Sequence, residues 1–255
     1  VKLSIPAAGD ADLWLLRQPR LGTCTGELDL TELDEAERQR AGSCRREAGR
    51  LLYSSVHIAL RRLLGAYLDT GPRQLRFGRA PCPCCGEPHG RPVLEVPGSP
   101  LHFSLSHSAG MALIGVSTVP IGVDVEKIPS RDTVRVCTPA LHPDERSELL
   151  ARPDGVGAVA FGQLWTRKEA YLKGIGTGLA RDLSADYLGA DSGRHPARWT
   201  LHDVPCGPRH TAAAALRDQP AGARLRVHWL PMDCLYKEKP MPLGKQDTFL
   251  GELVA

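Results

Sequence analysis

Two acidic residues and one lysine-bearing segment hold the chemistry legible in this chain of 255 residues. Asp124 and Glu126 stand two apart in IGVDVEKI, so an extended backbone projects both from one face. Neighbouring carboxylates repel, and a divalent cation relieves that repulsion. With no Cys or His beside them, an all-oxygen pair suits Mg²⁺, which leaves coordination positions for water and phosphate. By itself an Asp-x-Glu triplet is more often an edge strand with its acids turned outward. A second segment weighs against that reading. In FGQLWTRKEAYLK, Trp165, Glu169 and Lys173 recur every four residues on one side of a helix, and Lys168 flanks them. Glu169 would complete the metal site, and the two lysines would meet phosphate oxygens. The plainer alternative is a surface Glu–Lys pair with Trp165 as a core anchor, worth about 0.2–0.5 kcal/mol.

Lysine usage favours the functional reading. Between residues 3 and 236 Arg occurs 25 times, yet Lys stands only at 127, 168 and 173. A chain that writes Arg by preference has kept Lys where a compact, rotatable ammonium serves. His107, between Ser106 and Ser108 in a turn-forming segment, is accessible as a general base or phosphate ligand, or is a plain turn histidine. The segment CPCCGEPH at 82–89 contains a C-x-x-C, but no second pair and no spaced His pair follows to close a tetrahedral zinc shell. P-loop, zincin and nucleophile-elbow signatures are absent.

These residues need a frame. From 33 to 68, Leu51, Leu52, Val56, Ile58, Leu60, Leu63 and Leu64 recur at helical spacing until Gly71-Pro72, which predicts a helix with an Arg-rich leading half. Prolines and glycines forbid a long element over 72–100. Alternation at 101–106, a turn at Ser108-Ala109-Gly110 and the run MALIGVS predict a hairpin; IGVDVEKI is a third strand. Helices are expected at 141–151 and 161–173, the second stopped by Gly174, Gly176 and Gly178, and strands at 196–203, 211–216 and 223–230. The fold class is therefore α/β (α+β). A seam at Thr118-Val119-Pro120 divides an N-terminal half (1–118) from a C-terminal half (119–232). From 237 onward Lys237, Lys239 and Lys245 replace Arg, so 233–255 reads as a tail foreign to the globular body.

Composition sets the class. With 42% hydrophobic and 24% charged residues, the chain can bury a core without staples. It has no run of about 18 apolar residues and no secretory plan at its start, which argues against a membrane and for the cytosol. Eight cysteines, scattered apart from one cluster, read as reduced thiols. A net charge of +3 is too weak to argue for nucleic acid. Residues 38–79, however, carry ten Arg against Glu47 and Asp69, a solvated face or a seat for a phosphorylated cofactor.

Taken together, Gly90-Arg91-Pro92, HFSLSHS at 102–108, IGVDVEK at 121–127 and LWTRKEAYLKGIGTGL at 164–179 resemble the 4′-phosphopantetheinyl transferases of the surfactin-synthetase-activating type. The match spans about ninety residues in order and spacing. The resemblance implies a monomer of two pseudo-twofold α/β halves, with coenzyme A as substrate in the cleft between them. Asp124, Glu126 and Glu169 would then hold Mg²⁺ on the pyrophosphate, and Lys173 would bind phosphate. Ser106 and His107 would contact the nucleotide end, Arg91 the 3′-phosphate, and Arg50 would add a basic contact. Arg38, Arg40, Arg45 and Arg46 cannot be registered uniquely on the family's pattern. The implied reaction is attack by a serine of an apo acyl or peptidyl carrier protein on the β-phosphorus, expelling 3′,5′-ADP, with Glu169 the first candidate base and Lys173 the second. Fatty acid, polyketide and nonribosomal peptide carriers all fit. Two other readings compete: a Mg²⁺-dependent phosphohydrolase or nuclease using the same acids, and a zinc-stapled, non-catalytic nucleic-acid-binding module built on the Arg-rich helix and CPCCGEPH.

Overall fold

The computed structural model describes residues 2–18, 27–152, 157–237 and 249–254; Cys24, Lys239 and Lys245 lie outside these. The Arg-rich segment folds as two helices rather than one. The first, α1 (Glu35–Gly42), is opened by a capping box in which the Asp34 carboxylate and the Glu37 side chain exchange bonds with each other's backbone N–H. After a break at 43–46, α2 (Glu47–Leu68) buries Leu52, Val56, Ala59, Leu60, Leu63, Leu64 and Tyr67. It ends on Asp69, left-handed at φ 55°, two residues before the Gly-Pro that the sequence offers as its stop.

The first sheet has five strands in the order β10-β9-β1-β5-β4. These are β1 (Ala11–Arg17), β4 (His102–Ser108), β5 (Met111–Ser117), β9 (Arg224–Trp229) and β10 (Phe249–Val254). The β4–β5 hairpin turns through Ala109 and Gly110, both at positive φ (46° and 82°), as a tight two-residue loop requires. A small separate hairpin pairs β2 (Phe77–Arg79) with β3 (Pro92–Leu94). The second sheet is antiparallel, in the order β6-β8-β7: β6 (Ile121–Lys127), β8 (His210–Arg217) and β7 (Trp199–Asp203). Beyond β6 lie α3 (Arg131–Cys137), α4 (Pro143–Leu150) and α5 (Ala158–Ile175).

Three apolar clusters fix the layering. Trp14, Leu16, Ile114 and Val116 on one face of the first sheet pack with the buried side of α2. Leu13, Leu15 and Leu113 on its other face meet Ile121, Val123, Val125 and Leu216 of the second sheet. The outer face of the second sheet, Ala213 and Ala215, packs under α5 with Ala170 and Leu172. The molecule is mixed α/β, layered helix, sheet, sheet, helix.

Two sequence expectations change. The break at 118–120 does not separate two self-contained sheets, because β9 and β10 cross back to the first, where β9 runs parallel to β1. Nor do residues 249–254 hang off as a tail: they form the edge strand β10. Lysine usage says which cation is written there, whereas FLGELV has the apolar content of a strand. Among the described residues, no helix is long and apolar enough to cross a membrane.

Candidate active site

Gly122, Asp124 and Glu126 share the β6 face turned to α5, while Val123 and Val125 fill the core between the sheets. Glycine at 122 is obligatory for the distance. A Cβ there would stand 2.0 Å from the Ala170 carbonyl oxygen and 2.3 Å from the Gly174 nitrogen, so the helix backbone rests directly on the strand. Gly174 is as tightly covered by the Trp199 ring, 2.6 Å from its own would-be Cβ. Backbone contact at 170 and 174 sets the height of Glu169 and Lys173 above the acids. Gly176, at φ 86°, then ends α5.

From the other side β4 supplies three hydroxyls by pleat alternation. Ser104 Oγ accepts from Val123 N–H (3.1 Å) and Ser108 Oγ from Lys127 N–H (3.4 Å). Ser106 Oγ donates to Asp124 Oδ1 (2.7 Å). Lys173 Nζ closes the triangle, 2.6 Å from Asp124 Oδ1 and 2.9 Å from Ser106 Oγ. Asp124 is 1% exposed, and its Oδ2 is buried with no hydrogen-bond partner. Burial raises the pKa of Glu126, helped by the Asp124 charge and opposed by Ser108 and Lys173. Burial likewise raises Glu169, with Asp124 and Glu126 adding to the shift and Lys173 opposing it.

The three acids thus sense one another's charge, but their oxygens are not drawn into one ligand shell. Among the described residues, the group of ligating atoms lying within 4.8 Å of one another is Cys82, Cys85 and His89 instead. Beside Glu126 opens a cleft of about 400 Å³ walled by Ile128, Pro129, Phe161 and Trp165.

The remaining candidates divide. Lys168 corrects the sequence reading: it is 2% exposed, 2.8 Å from Glu145 Oε2, and donates to the Leu183 and Asp186 carbonyls at 2.7 and 2.8 Å. All three ammonium hydrogens are used, so none is left for a phosphate. Its five-residue offset from Lys173 is about 140° around a helix, which puts the two on different sides. Arg91 is half-buried beside Gly176, whose would-be Cβ lies 3.3 Å from the Arg91 nitrogen. Desolvation and neighbouring Arg217 lower its pKa, and burial with the Arg91 charge pushes His102 down to about 4. His107 is exposed, yet the protein around its ring lowers its pKa, with His57 and Lys173 adding to the shift. Arg50 is exposed in the first turn of α2, with no side-chain partner among the described residues. His57 and His102 carry no local sequence signal: one lies on a helix among apolar neighbours and the other opens a strand. Of the ten arginines at 38–79, Arg61 is buried against Glu37 (2.7 Å) and Asp34 (2.6 Å), and Arg62 pairs with Glu32 (2.8 Å). Arg40, Arg45 and Arg46 stay exposed near the break between α1 and α2.

Residues 120–215, which hold β6, α5 and all three acids, match the family model of the 4′-phosphopantetheinyl transferase superfamily. The chain is 32% identical over 188 residues to the 4′-phosphopantetheinyl transferase HetI of Nostoc sp., covering 66% of this chain and 76% of that protein. It belongs to the 4′-phosphopantetheinyl transferase superfamily. The enzyme psf-1 of Bacillus pumilus is 32% identical over 122 residues (47% of this chain, 51% of its own), and Sfp of Bacillus subtilis 29% over 130 residues (50% and 57%). The family resemblance drawn from four short segments is thereby borne out. The protein is an enzyme, a 4′-phosphopantetheinyl transferase, and the non-catalytic module drops out.

Proposed function

We propose that this phosphopantetheinyl transferase moves the 4′-phosphopantetheine group of coenzyme A to a serine of an apo acyl or peptidyl carrier protein, with Mg²⁺, releasing 3′,5′-ADP. The observation that carries the reading is the buried, partnerless Oδ2 of Asp124, whose carboxylate charge helps raise the pKa of both Glu126 and Glu169. An unsatisfied buried carboxylate oxygen is costly, and a hard cation with oxygen ligands satisfies it. Asp124, Glu126 and Glu169 fit such an ion by donor chemistry and would hold it. Bound Mg²⁺ supplies neutralising charge at the pyrophosphate oxygens.

The chain's own residues do the rest. Lys173, 31% exposed beside Asp124, would donate to a phosphate oxygen, and Ser106 and His107 would line the way to the nucleotide. Arg91 takes the 3′-phosphate. Arg50 offers a further contact at the mouth of α2. The serine oxygen bonds to the β-phosphorus, the bond from that phosphorus to the bridging oxygen breaks, and 3′,5′-ADP leaves with the electron pair. Glu169, whose pKa is raised by burial and by its acidic neighbours, takes the serine proton. The cleft beside Glu126 receives the pantetheine arm. Arg40, Arg45 and Arg46 steer an acidic carrier, so added salt slows the encounter. The enzyme works as a cytosolic monomer.

Mass spectrometry of apo carriers incubated with coenzyme A and Mg²⁺ tests this: the expected result is the phosphopantetheine increment with one 3′,5′-ADP per carrier. Cleavage of coenzyme A without a carrier points instead to the phosphohydrolase. Asp124→Asn keeps the shape and removes the charge; transfer should fall at least about a hundredfold.

A further inference from the structure

The twelve residues between β2 and β3 are a long loop for strands of three residues each, since so small a hairpin is marginal in water. Yet the loop is tightly folded. Cys82 N–H donates to Glu87 O (2.7 Å), Gly86 N–H to Cys82 O (2.8 Å), and Gly90 N–H to Ala80 O (2.9 Å). Gly86 turns at φ 79°, and a Cβ on Gly90 would stand 2.6 Å from Ala80 O. This folding brings three soft donors together. Cys85 Sγ lies 3.0 Å from His89 Nε2, and with Cys82 Sγ all three ligating atoms fall within 4.8 Å of one another. Cys82 is 2% exposed, so its sulfur is held inside the loop.

We infer that Cys82, Cys85 and His89 form a zinc site, with water in the fourth position, that staples this loop. In a tetrahedral Zn²⁺ shell, sulfur and nitrogen donors at about 2.3 and 2.05 Å from the metal stand roughly 3.5–3.8 Å apart, so the three atoms need move by only about 1 Å. Two thiolates and an imidazole select zinc over the hard cations that carboxylates prefer. Binding releases the two thiol protons and leaves the metal's oxidation state unchanged. The missing second C-x-x-C is no obstacle, because His89, four residues beyond Cys85, supplies the third ligand. The staple lies directly before Arg91, the residue that packs on Gly176. Zinc therefore holds the end of the loop against the end of α5. The site stands apart from the acids of β6 and α5 and does not depend on their role.

The test is the metal content of the full chain, expressed with zinc sulfate, purified under a phosphine reductant and passed over a chelating resin. Native mass spectrometry and elemental analysis should give one zinc per chain. Cys85→Ser and His89→Ala should lose it, while Cys44→Ser and Cys84→Ser keep it, with folding checked by circular dichroism. As a reading that needs no variant, cobalt exchanged into the native chain should show the thiolate charge-transfer and visible d–d bands of a tetrahedral sulfur-ligated ion. A native chain without zinc, equal zinc in native and Cys85→Ser proteins, loss of zinc in Cys84→Ser, or an octahedral, sulfur-free cobalt spectrum overturns the assignment.

Discussion

Replacing Gly122 with Ala tests the contact on which the site's geometry depends. The added methyl would fall 2.0 Å from the Ala170 carbonyl oxygen, 2.3 Å from the Gly174 nitrogen and 2.8 Å from its Cα, all backbone atoms with no rotamer to yield. Ordinary contact needs about 3.5 Å, so helix and strand must part by roughly 1–1.5 Å. That carries the 2.6 Å contact between Lys173 and Asp124 to about 4 Å, past hydrogen bonding. Overpacking of this kind costs about 1–3 kcal/mol of stability, and a displacement of about 1 Å at reacting groups costs on the order of a hundredfold in rate. Urea unfolding gives the first quantity. Transfer per folded molecule, measured with coenzyme A and an apo carrier, gives the second. Gly49→Ala is the control: nothing lies within 4 Å of its would-be Cβ, and the helix should gain up to about 1 kcal/mol. A Gly122→Ala protein as stable and as fast as the native one would refute the idea that backbone contact sets the spacing of the acids.

Lys168 and Lys173 should fail differently. Lys168→Met leaves the fully buried Glu145 without its cation and should cost about 3–5 kcal/mol in urea unfolding; Lys173→Met, at a side chain 31% exposed, should lose turnover per folded molecule, and an unchanged stability in the first or an unchanged turnover in the second rejects that assignment. Acid titration tests the carboxylates. Glu126 and Glu169 are raised above the ordinary 4.5 in the folded chain, so the folded state keeps protons the unfolded state has lost. Metal-free stability should therefore fall as pH rises from about 4.5 through the raised values, and Glu169→Gln should flatten that slope; an unchanged slope contradicts it. Arg91→Met should raise KM for coenzyme A by about 10- to 100-fold, the size of a lost charged hydrogen bond, and leave KM for 3′-dephospho-coenzyme A alone. Equal effects on both substrates would remove Arg91 from the 3′-phosphate.

Local signals carried much of this molecule. IGVDVEKI marked β6 within a residue and the alternation at 101–106 marked β4 within two, while the 3.6 period marked α5 and the apolar half of α2, because each buries one face against a sheet. What escaped was pairing at a distance. The strand β1 is buried on both faces, so ADLWLLR has no alternation to show, and the parallel pairing of β1 with β9 joins residues more than two hundred apart. The partition of the two lysines was equally hidden. Composition singled out both, but only the packing of α4 and the loop after α5 reveals that Lys168 answers a buried Glu145.

The plainer reading of Asp124 and Glu126, an edge strand with outward acids, proves half right, and the half that fails explains the site. In the order β6-β8-β7, β6 is an edge strand, so the N–H groups on its free side lack strand partners. An exposed edge would turn them to water and leave Asp124 solvated at little cost. Instead β4 lies alongside, and its serines at 104 and 108 accept from the N–H groups of Val123 and Lys127, while Ser106 meets the Asp124 side chain. Hydroxyls stand where a strand's carbonyls would, sealing the edge without a continuous ladder. The consequence is electrostatic: Asp124 is taken out of water with one oxygen satisfied and the other bare. Ser104→Ala should expose the cost of a buried, unpaired N–H, about 1–3 kcal/mol, and loosen the strand that carries the acids, whereas Ser108→Ala, at an exposed bond of 3.4 Å that water can replace, should cost little. A larger loss of Mg²⁺ affinity in Ser104→Ala than in Thr31→Ala, a surface site away from β6, would separate this sealing role from a general loss of stability.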